Sequence, residues 1–251
     1  MKIILNHILT VALLLSAFAS CKKNVIEPVQ SSSLTIVNTI AGHDTLITNF
    51  DGNKQLQYFV TAASVLPGSF NTFSGYMGDI PLAISLANDT THSIYRQTLN
   101  LTPNSIHTLF FMGTSTTPDM LLTNDNVQSP TDSVVKVRFV NISTGSNPVS
   151  INLRGSLQQP LASNLTYKSI TDFQSFPAKR NNPISDSYVF EIRDAASQTL
   201  LATYTMTGLL PFTSPGKITI GKVFRSYTIA FSGVPGGTGT DAQGAILINN
   251  Y

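Results

Sequence analysis

One strand-and-turn unit occurs twice in this chain, and that repetition limits the folds open to it. The first copy opens with Leu34-Thr35-Ile36-Val37-Asn38 and the second with Val137-Arg138-Phe139-Val140-Asn141. Both are apolar runs that end on Asn and pass into a Gly turn, Ala41-Gly42 and Thr144-Gly145. Each unit then carries a later strand pair. Residues 95–101 lead through Pro103 to 108–113, and 202–206 lead through a Pro/Gly-rich link to 227–233. Each closes on a short apolar run before Asn: Met120-Leu121-Leu122-Thr123-Asn124 and Ala245-Ile246-Leu247-Ile248-Asn249. Matched landmarks in one order read as an internal duplication.

Alternation assigns these runs to strands. Tyr188, Phe190 and Ile192 fall on one face with Glu191 and Arg193 on the other, and Val135, Val137 and Phe139 alternate with Lys136 and Arg138. Such a pattern predicts antiparallel sheets with one face in the core and the charged face in water. Turn clusters at Asp51-Gly52-Asn53, Asn88-Asp89 and Asn181-Asn182-Pro183 separate the runs. Apolar runs of helical period do not exceed about two turns. Trp is absent, Ser and Thr are plentiful, and Glu occurs at Glu27 and Glu191 alone, which favours strands over helices. Roughly seven short strands per unit predict an all-β chain of two tandem immunoglobulin-like antiparallel β-sandwiches. Their expected spans are 34–125 and 134–251, with 125–132, around Pro130, as the boundary.

The N-terminal segment reads differently. Lys2 precedes a mostly apolar stretch, Ile3 to Phe18, and Ala17, Ala19 and Ser20 supply small residues before Cys21, the single cysteine. The stretch is shorter than the roughly 20 residues a bilayer-spanning helix needs. It resembles a lipobox in which Phe18 stands where Leu is usual. Residues 1–20 are therefore expected to be a lipoprotein signal peptide, Cys21 the lipidation site, and 21–33 a polar tether. A plain cleaved signal peptide is the alternative. The expected location is the bacterial outer membrane, with the periplasmic or the cell-surface face left open.

The phrase Val137-Arg138-Phe139-Val140-Asn141, followed by Leu161-Ala162-Ser163-Asn164-Leu165-Thr166-Tyr167 and then Tyr188-Val189-Phe190-Glu191-Ile192-Arg193, resembles an uncharacterised domain family, domain of unknown function 4397. That family is common in lipoproteins of Bacteroidota-type bacteria. The likeness is clearer over 134–250 than over 34–124, and an insertion around 211–221 departs from it. It implies a β-sandwich and an envelope location. Its motifs are core and turn residues, so it carries over no catalytic residue.

Chemistry is sparse. Charged residues make up 11% of the chain and the formal net charge is +2, which gives no basic footprint for nucleic acid. His43, His92 and His107 show no metal spacing and read as isolated surface residues; no metal or cofactor is expected. The run from Gly233 to Thr240 lacks the Gly-Lys-Ser/Thr ending of a phosphate loop and reads as a flexible connection. Asn124-Asp125-Asn126 and Asn88-Asp89 offer oxygens without a calcium-loop pattern. Asp44-Thr45-Leu46, Asp89-Thr90-Thr91 and Asp132-Ser133-Val134 resemble an O-glycosylation tripeptide, marking Thr45, Thr90 and Ser133. Phe70, Phe73 and Tyr76 lie among polar neighbours on a loop or edge strand and offer ligand-contact aromatics, against the plainer reading that they belong to the core. The chain thus reads as a non-enzymatic envelope lipoprotein, a binding, adhesion or structural module. Its partners would be the membrane, through the lipid anchor, and a glycan or another envelope protein. A glycan-binding accessory lipoprotein is the alternative, and a β-sandwich hydrolase the third reading.

Overall fold

A computed structural model describes residues 31–42, 44–52, 62–178, 187–210, 212–214, 217–219 and 221–250. The segment 1–30 with Cys21, His43, and the Asn181-Asn182-Pro183 turn lie outside the described residues. Ser31–Tyr251 forms one compact unit.

Eight strands come first: β1 (Ser32–Asn38), β2 (Leu46–Asn49), β3 (Ala62–Val65), β4 (Ser69–Tyr76), β5 (Gly78–Leu86), β6 (Asp89–Leu101), β7 (Ile106–Gly113) and β8 (Pro118–Asp125). The second set begins with β9 (Val134–Asn141), β10 (Val149–Leu153), β11 (Ala162–Leu165), β12 (Gln174–Pro177), β13 (Ser187–Asp194) and β14 (Leu200–Thr207). A short hairpin, β15 (Phe212–Ser214) with β16 (Lys217–Thr219), occupies the insertion, and β17 (Ser226–Ser232) and β18 (Gly244–Asn249) complete the chain.

The sheets repeat in order. The first sandwich pairs β4-β1-β7-β8 with β3-β2-β5-β6, and the second pairs β12-β9-β17-β18 with β11-β10-β13-β14. Each strand of the first half has a counterpart in the second, with β7 answering to β17 and β8 to β18. The all-β tandem sandwich is therefore what the chain forms, and the duplication is topological. Two features differ from expectation. Each half has eight main strands. The sheets are also not wholly antiparallel, since β1 runs parallel to β7 and β9 to β17. A parallel pair needs a long crossover, and the intervening strands of each half provide it.

Individual residues confirm the equivalence. Asn38 and Asn141, both fully buried, end β1 and β9. The Asn38 side-chain amide donates to the Val65 carbonyl at the end of β3 and its oxygen accepts from Ile40 N–H. Asn141 donates to the Leu165 carbonyl at the end of β11 and accepts from Ser143 N–H. Each Asn thus ties an inner strand to the facing sheet and satisfies a buried amide at the turn. Gly113 ends β7 and Gly233 follows β17, with φ of 85° and 86°. A Cβ at either would strike the backbone of Thr117 or Ala242, so both positions require glycine.

Four sheets make three apolar layers. Leu34, Ile36, Leu82, Ile84, Leu109 and Phe111 fill the first sandwich. Val137, Phe139, Ile151, Phe190, Ile229 and Phe231 fill the second. The third layer, Val37, Phe110, Met112, Val140, Ile142, Ala230 and Ile248, lies where the two inner sheets face each other. Alternation within a strand is kept: on β9, Val135, Val137 and Phe139 point to the second core while Val140 turns to the third layer. The expected wet face of these inner sheets does not exist. Arg138, expected in water, is 5% exposed. Glu191 does lie opposite Tyr188, Phe190 and Ile192, yet it is also buried, covered by Arg154 and Arg193.

Candidate functional site

The seam between the sandwiches is built from the same positions of both halves. Register places Val37 beside Phe110 and Val140 beside Ala230, then Phe110 beside Leu121 and Ala230 beside Ile246. All of these residues belong to the seam. Like patch meets like patch, as at a two-fold subunit interface, here within one chain.

Polar groups close both ends. At one end Gly42 N–H donates to Asp241 Oδ1 at 3.1 Å and Gly113 N–H to Thr144 Oγ1 at 3.2 Å. On β8, Asp119 accepts from Tyr167 Oη and from Lys168 Nζ, each at 2.9 Å. Burial pushes the Asp119 carboxyl up, but bonds from Lys168, the Met120 N–H and Tyr167 outweigh it and hold the group below its ordinary value. Burial pushes the Tyr167 phenol up, and its bond to Asp119 adds to the rise.

At the other end sits a buried ion pair. Arg138 Nη2 donates to Asp125 Oδ1 at 2.6 Å, and Arg138 Nε donates to Thr228 Oγ1 at 2.8 Å. Asp125, 4% exposed, also accepts from Thr108 and Thr123 at 2.6 Å each and from Asn250 Nδ2 at 2.9 Å. Thr228 completes the network by donating to Asn250 Oδ1 at 2.7 Å. Four hydrogen bonds fill the lone pairs of the carboxylate, which is what a buried charge requires. This arrangement takes the central residue of Asn124-Asp125-Asn126 out of reach of a cation.

Over this pair opens a groove of about 400 Å³, lined among others by Asn124, Asn126, Lys136, Arg138, Asp172 and Phe173. The Arg138 guanidinium lies 4.7 Å from the centre of the Phe173 ring, a cation–π contact that fixes both. Neither Arg138 nor Phe173 was marked by the sequence as a site residue. The available signal was Arg138 within the otherwise apolar opening phrase of the second copy, where the first has Thr35.

The aromatics of β4 are separated by the fold. Phe70 packs into the seam, whereas Phe73 and Tyr76 pack on the first core around Phe50, with ring centres 4.7 and 4.3 Å away. The register of β1 on β4 slips between Ser32 and Ser33, and Gly75, at φ 94°, supplies the extra residue that returns Tyr76 to the face of Phe73. All three are half-buried, and they do not form a common platform. Thr45, Thr90 and Ser133 are half-buried at strand starts and turns. Asp89 caps its turn, and bonds from Thr91 and then His92 hold it to about 2. His92 is exposed beside Asp89. His107, expected at the surface, is buried, with Nε2 2.6 Å from Ser105 Oγ. The Gly233–Thr240 connection is a hydrogen-bonded turn closed by Val234 N–H on the Asp241 carbonyl, not a loose loop. No cluster of three or more His, Cys, Asp or Glu side chains placed to hold a metal occurs among the described residues. No helix among the described residues is long and apolar enough to cross a membrane.

Part of the chain matches a known family. No protein among the curated sequences matches the chain. Among solved structures, the TIE protein of Bacillus anthracis is similar at 6% identity and a TM-score of 0.25, covering 82% of this chain and 34% of its own; this chain thus spans about a third of that protein. A candidate adhesin from Bacteroides ovatus is similar at 11% identity and a TM-score of 0.22, covering 85% of this chain and 92% of its own. The family described as "Domain of unknown function (DUF4397)" matches residues 30–152. That span takes in the first sandwich with β9 and most of β10; the phrases at 161–167 and 188–193 lie beyond it. Over residues 30–152 the chain is therefore similar to the DUF4397 family, and the clearer likeness expected over 134–250 is matched only as far as residue 152.

Proposed function

We propose that this protein is a non-enzymatic module of a bacterial cell envelope that binds or holds a partner. It would be anchored in the outer membrane by lipid on Cys21 and carried on a short tether. The observation that carries the reading is the seam. Two sandwiches joined through a shared apolar layer and a buried ion pair keep their outer loops and strand edges in fixed relation, which suits a scaffold that presents surfaces. The most distinctive charged pair, Asp125 with Arg138, has its bonding taken up by holding the halves together.

Protease shaving of intact cells, beside a Cys21→Ala variant followed by membrane fractionation, tests the proposal. Wild-type protein is expected in the membrane fraction and the variant in the soluble one. Loss of the protein from shaved cells assigns the outer face, and protection until the outer membrane is opened assigns the periplasmic face. Unchanged membrane attachment of Cys21→Ala contradicts the anchor.

A further inference from the structure

We propose that the groove at the Arg138 end of the seam is a binding site for a neutral saccharide. Its size, about 400 Å³, lies within the range of small-molecule sites. Its walls come from three places: the end of β8 with the following link (Asn124, Asn126, Gln128), the start of β9 (Lys136, Arg138), and the approach to β12 (Asp172, Phe173). Its lining is thus drawn from the end of the first half, the link and the second half.

Arg138 is the fixed point. Its side chain is 6% exposed, Nε is held by Thr228, Nη2 by Asp125, and one face rests on Phe173. A guanidinium held on three sides is organised before any ligand arrives.

Charge selects the class. Asp125 pairs with Arg138, and the lining adds one further acid, exposed Asp172, and one further base, Lys136, whose Nζ donates to the Gln128 carbonyl at 3.3 Å. The groove is therefore close to neutral, which disfavours a phosphate or a carboxylate as its occupant. Its lining offers donors and acceptors together: Lys136, the side-chain amides of Asn124, Asn126 and Gln128, and the Asp172 carboxylate. Sugar hydroxyls each donate and accept, and so match a mixed lining better than an apolar or an ionic ligand does. The aromatics of β4 are not part of it.

This proposal rests on the binding-module reading, and the two fail separately. A saccharide response in a chain that proves not to be membrane-anchored removes the anchor and leaves the groove. Saturation-transfer NMR on the full chain in detergent micelles, with glucose, galactose, mannose, N-acetylglucosamine and their disaccharides, tests the groove, with inorganic phosphate and glucuronate as anionic controls. At least one neutral sugar is expected to bind. Asn126→Ala and Asp172→Ala, both changes at exposed positions, should each weaken it roughly five- to tenfold, the size of one lost hydrogen bond, with unfolding midpoints unchanged. Binding of the anions alone, binding that both variants leave intact, or no response from any neutral sugar overturns the proposal.

Discussion

Asp125 and Arg138 show what one substitution in each half of a duplicated unit can do. Register pairs Thr35 with Thr108 and Arg138 with Thr228, so Arg138 stands where the first half has Thr35. Asp125 likewise pairs with Ile106 while Asn250 binds the equivalent Ser226 carbonyl, so Asp125 stands where the second half has Asn250. The charges therefore meet across the seam only when unlike halves face each other, a device for pairing specificity as much as for stability. Asp125→Ala would leave Arg138 buried without its counter-charge. We expect a loss of about 3–5 kcal/mol in urea unfolding. Replacing the pair together, Asp125→Leu with Arg138→Met, should recover part of that loss, the remainder being the bonds that Thr108, Thr123 and Asn250 lose. A double variant as unstable as the single one contradicts this account. In the sequence, Arg138 looked like a solvent-facing residue, because a period of two separates the faces of a strand without saying which of them meets water.

At the level of elements, the inner strands are legible in position, whereas their surroundings are drier than alternation alone implies. All of β1, β7, β9 and β17 fall where the apolar runs place them, and β4 is an edge strand, one of the two readings, loop or edge strand, that its polar-aromatic mixture left open. What the pattern also carried was burial on two faces. Leu109-Phe110-Phe111-Met112 is a continuous apolar run, the signature of a strand covered on both sides, and Phe110 and Phe111 do point to different layers. The groove was not legible at all, since its walls are brought together from three separate segments. The β8 strand adds a pH-dependent clamp through Asp119 with Tyr167 and Lys168. A carboxyl held below its ordinary value contributes stability above its unfolded pKa of about 4, and that contribution disappears as pH falls through the lower folded value. Acidifying from pH 6 to pH 3 should thus lower the urea midpoint of the wild type more than that of Asp119→Asn. Equal losses in the two proteins contradict a role for Asp119 in holding the seam.

On the scale of the whole molecule, the duplicated halves behave as a pseudo-dimer whose interface is a third core. The repeat describes each half and so predicts two sandwiches in tandem with no reason to touch, whereas the seam arises from the face that both halves share. With Phe110, Met112, Val140 and Ala230 buried between them, neither half keeps its inner sheet covered when the other unfolds. Separation would expose an apolar face of the kind monomeric proteins avoid. The halves should therefore unfold together. Differential scanning calorimetry of the full chain tests this most directly. The account predicts a single transition whose calorimetric and van't Hoff enthalpies agree; two resolved transitions, each with the enthalpy of one sandwich, would contradict it.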